Sequence, residues 1–330
     1  MSANTSIQWT DKTWNPVRGC SVVSPGCVHC YAMKVAHRFS GEGKPYVGLT
    51  KQTKAGPQWT GTVVTVDGAL REPLSWRKPC RVFVNSMSDL FHEDVPDQFI
   101  AEVLGVTALA ERHTFQILTK RAARMRDVVA WWIDRYHPVG PLANVWLGVS
   151  VENQHYADER MPLLLQTPAA VRFISAEPLL GPVNIERWLR AEDCNHPEQF
   201  CEDVGCRGET WLDWVIVGGE SGPGARPFDL AWARSIVAQC KFAGVKCFVK
   251  QLGAKPRGIC AWPHHNENPP MWFDDDGVLP SVSKRQATDL CHAVDDRWWP
   301  CSLKLKDRMG GQWSEWPEDL RVREFPEVRA

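Results

Sequence analysis

The sequence has 330 residues, with 38 Lys and Arg against 39 Asp and Glu, so its formal net charge is −1 at neutral pH. This balance excludes a chain that binds nucleic acid or membranes by bulk charge, although it is compatible with a local basic patch. No secretory signal and no apolar run of about 18 residues is visible, so no membrane partner is expected. The 12 cysteines are therefore interpreted as reduced, cytoplasmic thiols, some of them metal ligands.

Short apolar runs typical of β-strands recur along the chain. They lie at 82–85, 115–118, 145–149, 171–174, 214–217 and 247–249. Helix-like stretches separate most of them, for example 96–112, 122–135 and 230–243. This alternation predicts βαβ units and a parallel sheet, and the apolar strands predict burial on both faces. With so many units and no G-x-G-x-x-G after a strand, the sequence predicts an α/β fold with a full or partial (β/α) TIM-like barrel.

A polar cluster follows each predicted strand. The clusters are 85–89, 119–121, 150–153, 175–178, 218–222 and 250–251. The carboxyl ends of barrel strands ring one mouth, where active sites are built, so six clusters in succession predict a shared site. Taken singly, each cluster is equally well explained by polar loops and helix caps.

Three cysteines, Cys20, Cys27 and Cys30, stand near the start of the chain with the spacing C-x6-C-x2-C. Three thiolates on one loop suit a [4Fe–4S] cluster that keeps one iron open for a substrate or cofactor. Zinc is an alternative that needs a fourth ligand, and plain buried cysteines are another. A helix is expected over 28–38, and an exposed loop over 40–57, which is rich in Gly, Lys and Thr.

The alternation of predicted strands and helices ends near residue 256. It divides the chain into a barrel domain, 1–256, and a C-terminal appendage, 257–330, packed on the barrel. A small insertion at 190–211 interrupts the barrel domain. It carries three thiols and one imidazole, the ligand types of a structural zinc site: Cys194, His196, Cys201 and Cys206. Unliganded surface thiols are the alternative.

A set of ordered motifs carries a family resemblance. Examples are Thr13-Trp14-Asn15-Pro16, Gly19-Cys20 with Cys27-Val28-His29-Cys30-Tyr31, Leu118-Thr119-Lys120-Arg121, Ser175-Ala176-Glu177-Pro178, Val217-Gly218-Gly219-Glu220 and Lys250-Gln251. The chain resembles the phage-associated, three-cysteine-motif family of radical-SAM-like proteins over nearly its whole length. The wider superfamily has a three-residue first gap in its cysteine loop, so the six-residue gap here is a departure.

The resemblance implies a cluster held by Cys20, Cys27 and Cys30, with S-adenosylmethionine (AdoMet) at its open iron and a reductant such as flavodoxin or ferredoxin. It implies that His29 packs near the adenine. Asn85, Ser86 and Asp89 occupy the location that contacts the amino acid part of AdoMet, and Ser150 and Glu152 are candidates for its ribose or carboxylate.

The leading functional hypothesis is a radical AdoMet enzyme that generates a 5′-deoxyadenosyl radical and abstracts hydrogen from a substrate in the mouth. Substrate-facing acid–base or anion-binding roles are assigned to Glu177, Glu220, Lys120, Arg121 and Lys250. Gly218 and Gly219 would let a ligand approach the backbone closely. The cations Lys120, Arg121, Arg124 and Arg126 suggest a nucleic acid or nucleotide substrate, or else form a solvated helix face. The rival hypothesis is a non-catalytic binding protein stabilised by zinc or an inert cluster.

Overall fold

The computed structural model of the protein describes residues 5–189, 211–222, 224–261, 298–302, 305–307 and 309–326. In chain order, the strands are β1 (Lys12–Trp14), β2 (Val17–Arg18), β3 (Thr50–Thr53), β4 (Gly56–Trp59), β5 (Val64–Thr65), β6 (Arg81–Val84), β7 (Thr114–Thr119), β8 (Val145–Ser150), β9 (Val171–Ala176), β10 (Trp214–Gly218), β11 (Phe228–Asp229), β12 (Lys246–Gln251), β13 (Pro256–Ala261) and β14 (Trp298–Ser302). The helices are α1 (Tyr31–Arg38), α2 (Asp67–Leu70), α3 (Asp97–Leu109), α4 (Ala122–Tyr136), α5 (Gln154–Gln166) and α6 (Leu230–Phe242).

A seven-stranded sheet is the centre of the fold, in the order β1-β6-β7-β8-β9-β10-β12. Every neighbouring pair in it is parallel. Strands β8, β9 and β10 are buried along their whole length, as expected for a sheet covered on both faces. Helices α5 and α6 begin where the side chains of Asn153 and Asp229 accept backbone N–H bonds. The predicted α/β class with a parallel, barrel-like sheet is confirmed.

The sheet curls around an aromatic core. In a flat sheet, β6 and β10 would lie four strand spacings apart, roughly 19 Å. Yet the ring of Trp9 is centred 4.6 Å from Phe83 of β6 and 6.2 Å from Trp214 of β10. One side chain can contact both strands only because the sheet bends around it. The other face packs against the helices through aliphatic residues such as Val84 and Leu147.

The C-terminal residues extend this partial barrel beyond β12. Val249 donates its backbone N–H to the Val322 carbonyl, so residues 322–324 run along the free edge of β12. Arg323 also donates from Nη2 to Gln8 Oε1 at 2.7 Å. Because Gln8 lies just before β1, this segment links the two edges of the sheet. The boundary between barrel and appendage at 256/257 remains a prediction.

One local prediction is wrong. The stretch 40–57 was expected to be an exposed loop, but β3 and β4 form an antiparallel hairpin across its second half. All four residues of β3 are polar, and Trp59 is the one buried residue of the two strands, so no apolar alternation marks them. Helix α1 starts at Tyr31, three residues later than predicted, because residues 27–30 form a turn in which Cys30 donates its backbone N–H to the Cys27 carbonyl. No helix in the described part of the chain has the length and apolarity needed to span a membrane.

Gly148 of β8 provides a test of the inner core. A Cβ added there would lie 2.6 Å from the Phe173 ring, which is fully buried. We expect Gly148→Ala to destabilise the protein by about 1–3 kcal/mol through overpacking. Gly105→Ala in α3 is the matched control, since a Cβ there meets nothing within 4 Å; it should stabilise by about 0.5–1 kcal/mol. Denaturant midpoints that move equally for both variants would contradict this account.

Candidate active site at the carboxyl edge of the sheet

The three-cysteine loop lies between β2 and α1, against the carboxyl ends of the parallel strands. Cys20 and Cys30 pack on a small apolar cluster that includes Met33 of α1 and Trp59 of β4. Tyr31 donates its hydroxyl to the Ser86 carbonyl at 2.6 Å, just beyond the end of β6. Val22, Val23 and Val28 are exposed, so little apolar burial holds the loop itself. Polar and charged side chains from three strand ends hold it instead.

The first of these contacts is made by Glu152, which follows β8 and is fully buried. Its carboxylate accepts hydrogen bonds from Ser24 of the cysteine loop and from Lys120. Arg160 of α5 donates to its other oxygen at 3.0 Å. Gly26 packs so closely that a Cβ there would lie 2.5 Å from Glu152 Oε1. Burial acts to raise the pKa of Glu152, but Lys120 and Arg160 outweigh it, and the pKa is lowered.

The second contact runs through Arg121, which follows β7. Arg121 Nη2 donates to Ser21 Oγ at 2.7 Å, and Nη1 donates to Asp89 at 3.0 Å. Asp89 also accepts from the Thr119 hydroxyl at 2.7 Å. The Nε2 atom of His92 lies within hydrogen-bond distance of Ser21 Oγ, at 2.9 Å. Burial and the nearby Arg121 lower the pKa of His92, which favours a neutral imidazole beside the loop.

The third contact comes from the segment after β10. Arg226 is paired with Glu220 through several hydrogen bonds, including one from its backbone N–H at 2.8 Å. Arg226 Nη2 also donates to the Pro25 carbonyl at 3.0 Å. The ring of His29 lies 3.5 Å from the position that a Cβ on Gly224 would occupy. Glu220 is thus joined to the cysteine loop through Arg226, and its carboxylate is satisfied within the protein.

The three thiols share one loop, and two of them, Cys20 and Cys30, pack on the same apolar cluster. Burial raises the pKa of Cys20 to about 12, with Asp89 adding to the shift and Arg121 opposing it. Cys27 and Cys30 raise the pKa of Cys20 further, so both thiols lie within electrostatic range of Cys20. Burial also raises the pKa of Cys30. The raised pKa values keep Cys20 and Cys30 protonated at neutral pH, and their binding to a metal centre must release these protons.

The spacing of these ligands bears on the kind of metal centre. Across the described residues, no three His, Cys, Asp or Glu side chains lie close enough together to hold one metal ion. The cysteines of a four-iron cluster bind different irons, so they stand further apart than the ligands of one ion. Three thiols on one loop supply three ligands, which fits a cluster that has one iron without a protein ligand.

Asn85, immediately after β6, is exceptional in two ways. Its backbone φ is +59°, in the left-handed region, where Asn is tolerated better than most residues. Its side chain is 2% exposed, and neither amide atom has a hydrogen-bond partner within the described structure. A buried amide left unpaired costs about 1–3 kcal/mol, so it calls for a ligand or a water. Asn85 is therefore the best candidate for contact with a polar cofactor.

Glu177 and Lys250 form a second polar pair at the ends of β9 and β12. Lys250 Nζ lies 2.7 Å from Glu177 Oε1, and Gln251 donates to the same oxygen at 2.8 Å. Their side chains are 16% and 20% exposed, so both reach solvent at the mouth. This pair can hold or transfer a proton.

Several predicted ligand-binding residues contact other parts of the protein. Lys120 pairs with Glu152, Arg121 with Asp89, Arg124 with backbone carbonyls and Asp97, and Arg126 with Asp127. A Cβ on Gly219 would lie 2.8 Å from the Leu252 carbonyl, and one on Gly218 would lie 3.2 Å from the Gln251 carbonyl. Ser150 is buried, and its carbonyl accepts from Arg160 at 2.8 Å. Cys194, His196, Cys201 and Cys206 lie outside the described residues, so their zinc site remains a prediction.

Sequence reasoning missed Ser24, Arg160 and Arg226. Arg160 left a usable signal, because it lies on the buried face of α5 with Ala157, Met161 and Leu164. A cation on an apolar helical face indicates a buried anionic partner. Ser24 and Arg226 lie in irregular segments, where spacing predicts no contact.

By its fold and site, the protein is a partly closed, parallel α/β barrel with a three-cysteine loop at the carboxyl edge of the sheet. The chain belongs to the family described as "Protein of unknown function (DUF5131)", whose model matches residues 4–300. A sequence search of curated proteins finds no match.

Among solved structures, the chain is similar to spore photoproduct lyase. The lyase complexed with dinucleoside spore photoproduct aligns at a TM-score of 0.39 and 11% identity, over 74% of this chain and 65% of the lyase. A lyase mutant with bound AdoMet and the same dinucleoside aligns at 0.38 and 12%, over 66% and 58%. This chain therefore spans less than two thirds of either lyase chain. At this level of similarity, the alignments define no activity here.

Glu152→Gln tests the buried contact. The variant leaves Lys120 and Arg160 without their shared carboxylate, so we expect a loss of about 3–5 kcal/mol in the free energy of unfolding at neutral pH. Because folding lowers the pKa of Glu152 from its usual 4.5, its contribution is fully present above pH 4.5. It is lost as the pH falls through the lowered value. The difference between wild type and variant should shrink in acid.

The matched control is Glu102→Gln, which neutralises an exposed carboxylate of α3. Denaturant unfolding between neutral and acidic pH measures both variants. A Glu152→Gln effect as small as the control effect would show that the buried carboxylate does not hold the loop.

Proposed function

We propose that this protein is a radical AdoMet enzyme that carries a [4Fe–4S] cluster on Cys20, Cys27 and Cys30. The observation that carries the proposal is three neighbouring thiols on a loop that charged side chains hold over the carboxyl edge of a parallel sheet. When bound, the cluster and AdoMet together would supply a 5′-deoxyadenosyl radical for hydrogen abstraction. Electrons would come from a reductant such as flavodoxin or ferredoxin.

The chain's own residues are assigned three tasks in this proposal. Glu152, Arg121 and Arg226 position the cysteine loop through Ser24, Ser21 and the Pro25 carbonyl. Asn85 offers an unpaired amide to the cofactor. Glu177 and Lys250 face the substrate and hold a proton between Oε1 and Nζ. The roles predicted for His29, Ser86 and Asp89 near AdoMet are part of the same proposal.

The rival is a non-catalytic binding protein with zinc or an inert cluster in the loop. Zinc in the loop would need a fourth ligand in addition to the three cysteines. Anaerobically purified protein should be brown, with absorption from thiolate-to-iron charge transfer. A colourless protein that contains only zinc would favour the rival.

Single Ala replacements of Cys20, Cys27 and Cys30 test the cluster. Each replacement should remove most of the iron and abolish 5′-deoxyadenosine formation from AdoMet under reducing conditions, because three ligands are needed to retain the cluster. Cys80→Ala is the control, since Cys80 lies before β6 and pairs with His113 at 3.4 Å instead. It should keep its iron. Full iron retention in all three loop variants would reject the proposed centre.

Asn85→Gly tests cofactor contact without straining the backbone, because Gly accepts a positive φ readily. The variant should bind AdoMet about tenfold more weakly, the equivalent of one lost hydrogen bond of roughly 1.4 kcal/mol. Stability should not fall, since the amide has no partner in the described structure. Equilibrium dialysis of reconstituted protein and an unfolding midpoint give the two readings. Unchanged AdoMet affinity would remove Asn85 from the site.

A further inference from the structure

The unit between the cysteine loop and β5 is unusually basic. Residues 31–59, which comprise α1, the connection after it and the β3–β4 hairpin, are called the basic lobe here. The lobe holds five cationic side chains and one carboxylate, Glu42, in a chain whose net charge is −1. The cations are Lys34, Arg38, Lys44, Lys51 and Lys54. A local field of this kind attracts polyanions even when the whole chain is nearly neutral.

Four of these cations are available to a partner. Arg38, Lys44, Lys51 and Lys54 are exposed, and no ion pair engages them within the described ranges. This distinguishes them from Lys120, Arg121, Arg124 and Arg126, which are paired inside the protein. The cations of the lobe are therefore better candidates for phosphate binding than the four cations at 120–126.

The lobe lies beside the candidate active site. Its core, formed by Ala32, Met33, Ala36, Leu49 and Trp59, packs against Cys20, Cys30 and Met87. Two aromatic rings are half exposed on the same unit, Tyr31 at 48% and Phe39 at 49%. Exposed aromatic rings among cations are typical of surfaces on which unpaired bases stack while phosphates are neutralised.

We infer that the basic lobe binds the phosphate backbone of a nucleic acid and delivers it to the mouth of the barrel. The inference rests on the proposed function, for which it names the substrate class. A membrane surface is a poorer match, because Ala32, Met33 and Ala36 of α1 are buried and pack with Leu49 and Trp59 of the lobe.

The test compares two triple variants of the full-length, cluster-loaded protein. Lys44→Ala/Lys51→Ala/Lys54→Ala removes three lobe cations. Arg77→Ala/Lys78→Ala/Lys241→Ala is the matched control, since these exposed cations lie before β6 and at the end of α6, toward the amino edge of the sheet. Fluorescence anisotropy with a labelled single-stranded oligonucleotide and with its duplex gives the affinity between about 50 and 200 mM salt.

Wild type and control should bind alike, whereas the lobe variant should bind about tenfold more weakly or worse. The slope of log affinity against log salt should become shallower by about 2 for the single strand, since each neutralised phosphate contributes roughly 0.7. Tighter binding of the single strand than of the duplex would assign the lobe to unpaired nucleic acid, and the reverse would assign it to duplex.

Three outcomes would overturn the inference: no binding by wild type, equal weakening by both triple variants, or tighter binding to phosphatidylserine vesicles than to either oligonucleotide. Iron content and AdoMet cleavage without substrate should be the same in all three proteins. Those two readings report on the proposed function, so its failure is distinguishable from failure of the lobe to bind nucleic acid.

Discussion

The buried carboxylate of Glu152 is the contact on which the candidate site depends. A carboxylate removed from water is costly unless cations and hydrogen bonds surround it, and here Lys120, Arg160 and Ser24 do so. Apolar packing alone would leave the cysteine loop free to slide, since its valines are exposed. Charge-assisted hydrogen bonds are directional, so they fix where the loop sits. The loop can therefore be rich in small residues and still present its thiols in one place.

Both faces of the sheet are packed with apolar residues, whereas its carboxyl edge carries the polar side chains of the candidate site. The outer face packs mainly aliphatic residues against the helices, together with Trp14 and Phe115, and the inner face is filled by aromatic rings around Trp9. At the carboxyl edge, the inner aromatic residues give way to polar ones such as Glu177 and Lys250. The closely packed aromatic residues beneath these polar side chains limit their movement and hold them close to one geometry.

Much of this architecture could be predicted from sequence because its signals are local. Strands such as 145–149 are continuous apolar runs, and the polar cluster after each strand reports the shared edge of a parallel sheet. Contacts between distant residues could not be predicted. Nothing in the spacing pairs Ser24 with Glu152, 128 residues later, or Arg226 with the Pro25 carbonyl. The hairpin at 50–59 could not be predicted for another reason, since its strands lack the apolar alternation that marks a half-buried strand.

The order of strands in the sheet is the order in which a ribosome would deliver them, from β1 through β6 to β12. Each new strand can dock on an edge that already exists, so the sheet can grow in one direction during synthesis. The free edge of β12 would remain open to pairing with another chain until residues 322–324 cover it. Arg323 then donates to Gln8, so a segment made after β12 is joined to one made before β1. A nascent chain stalled between β12 and residue 322 would expose that edge, which makes this interval of synthesis the one most open to misassembly.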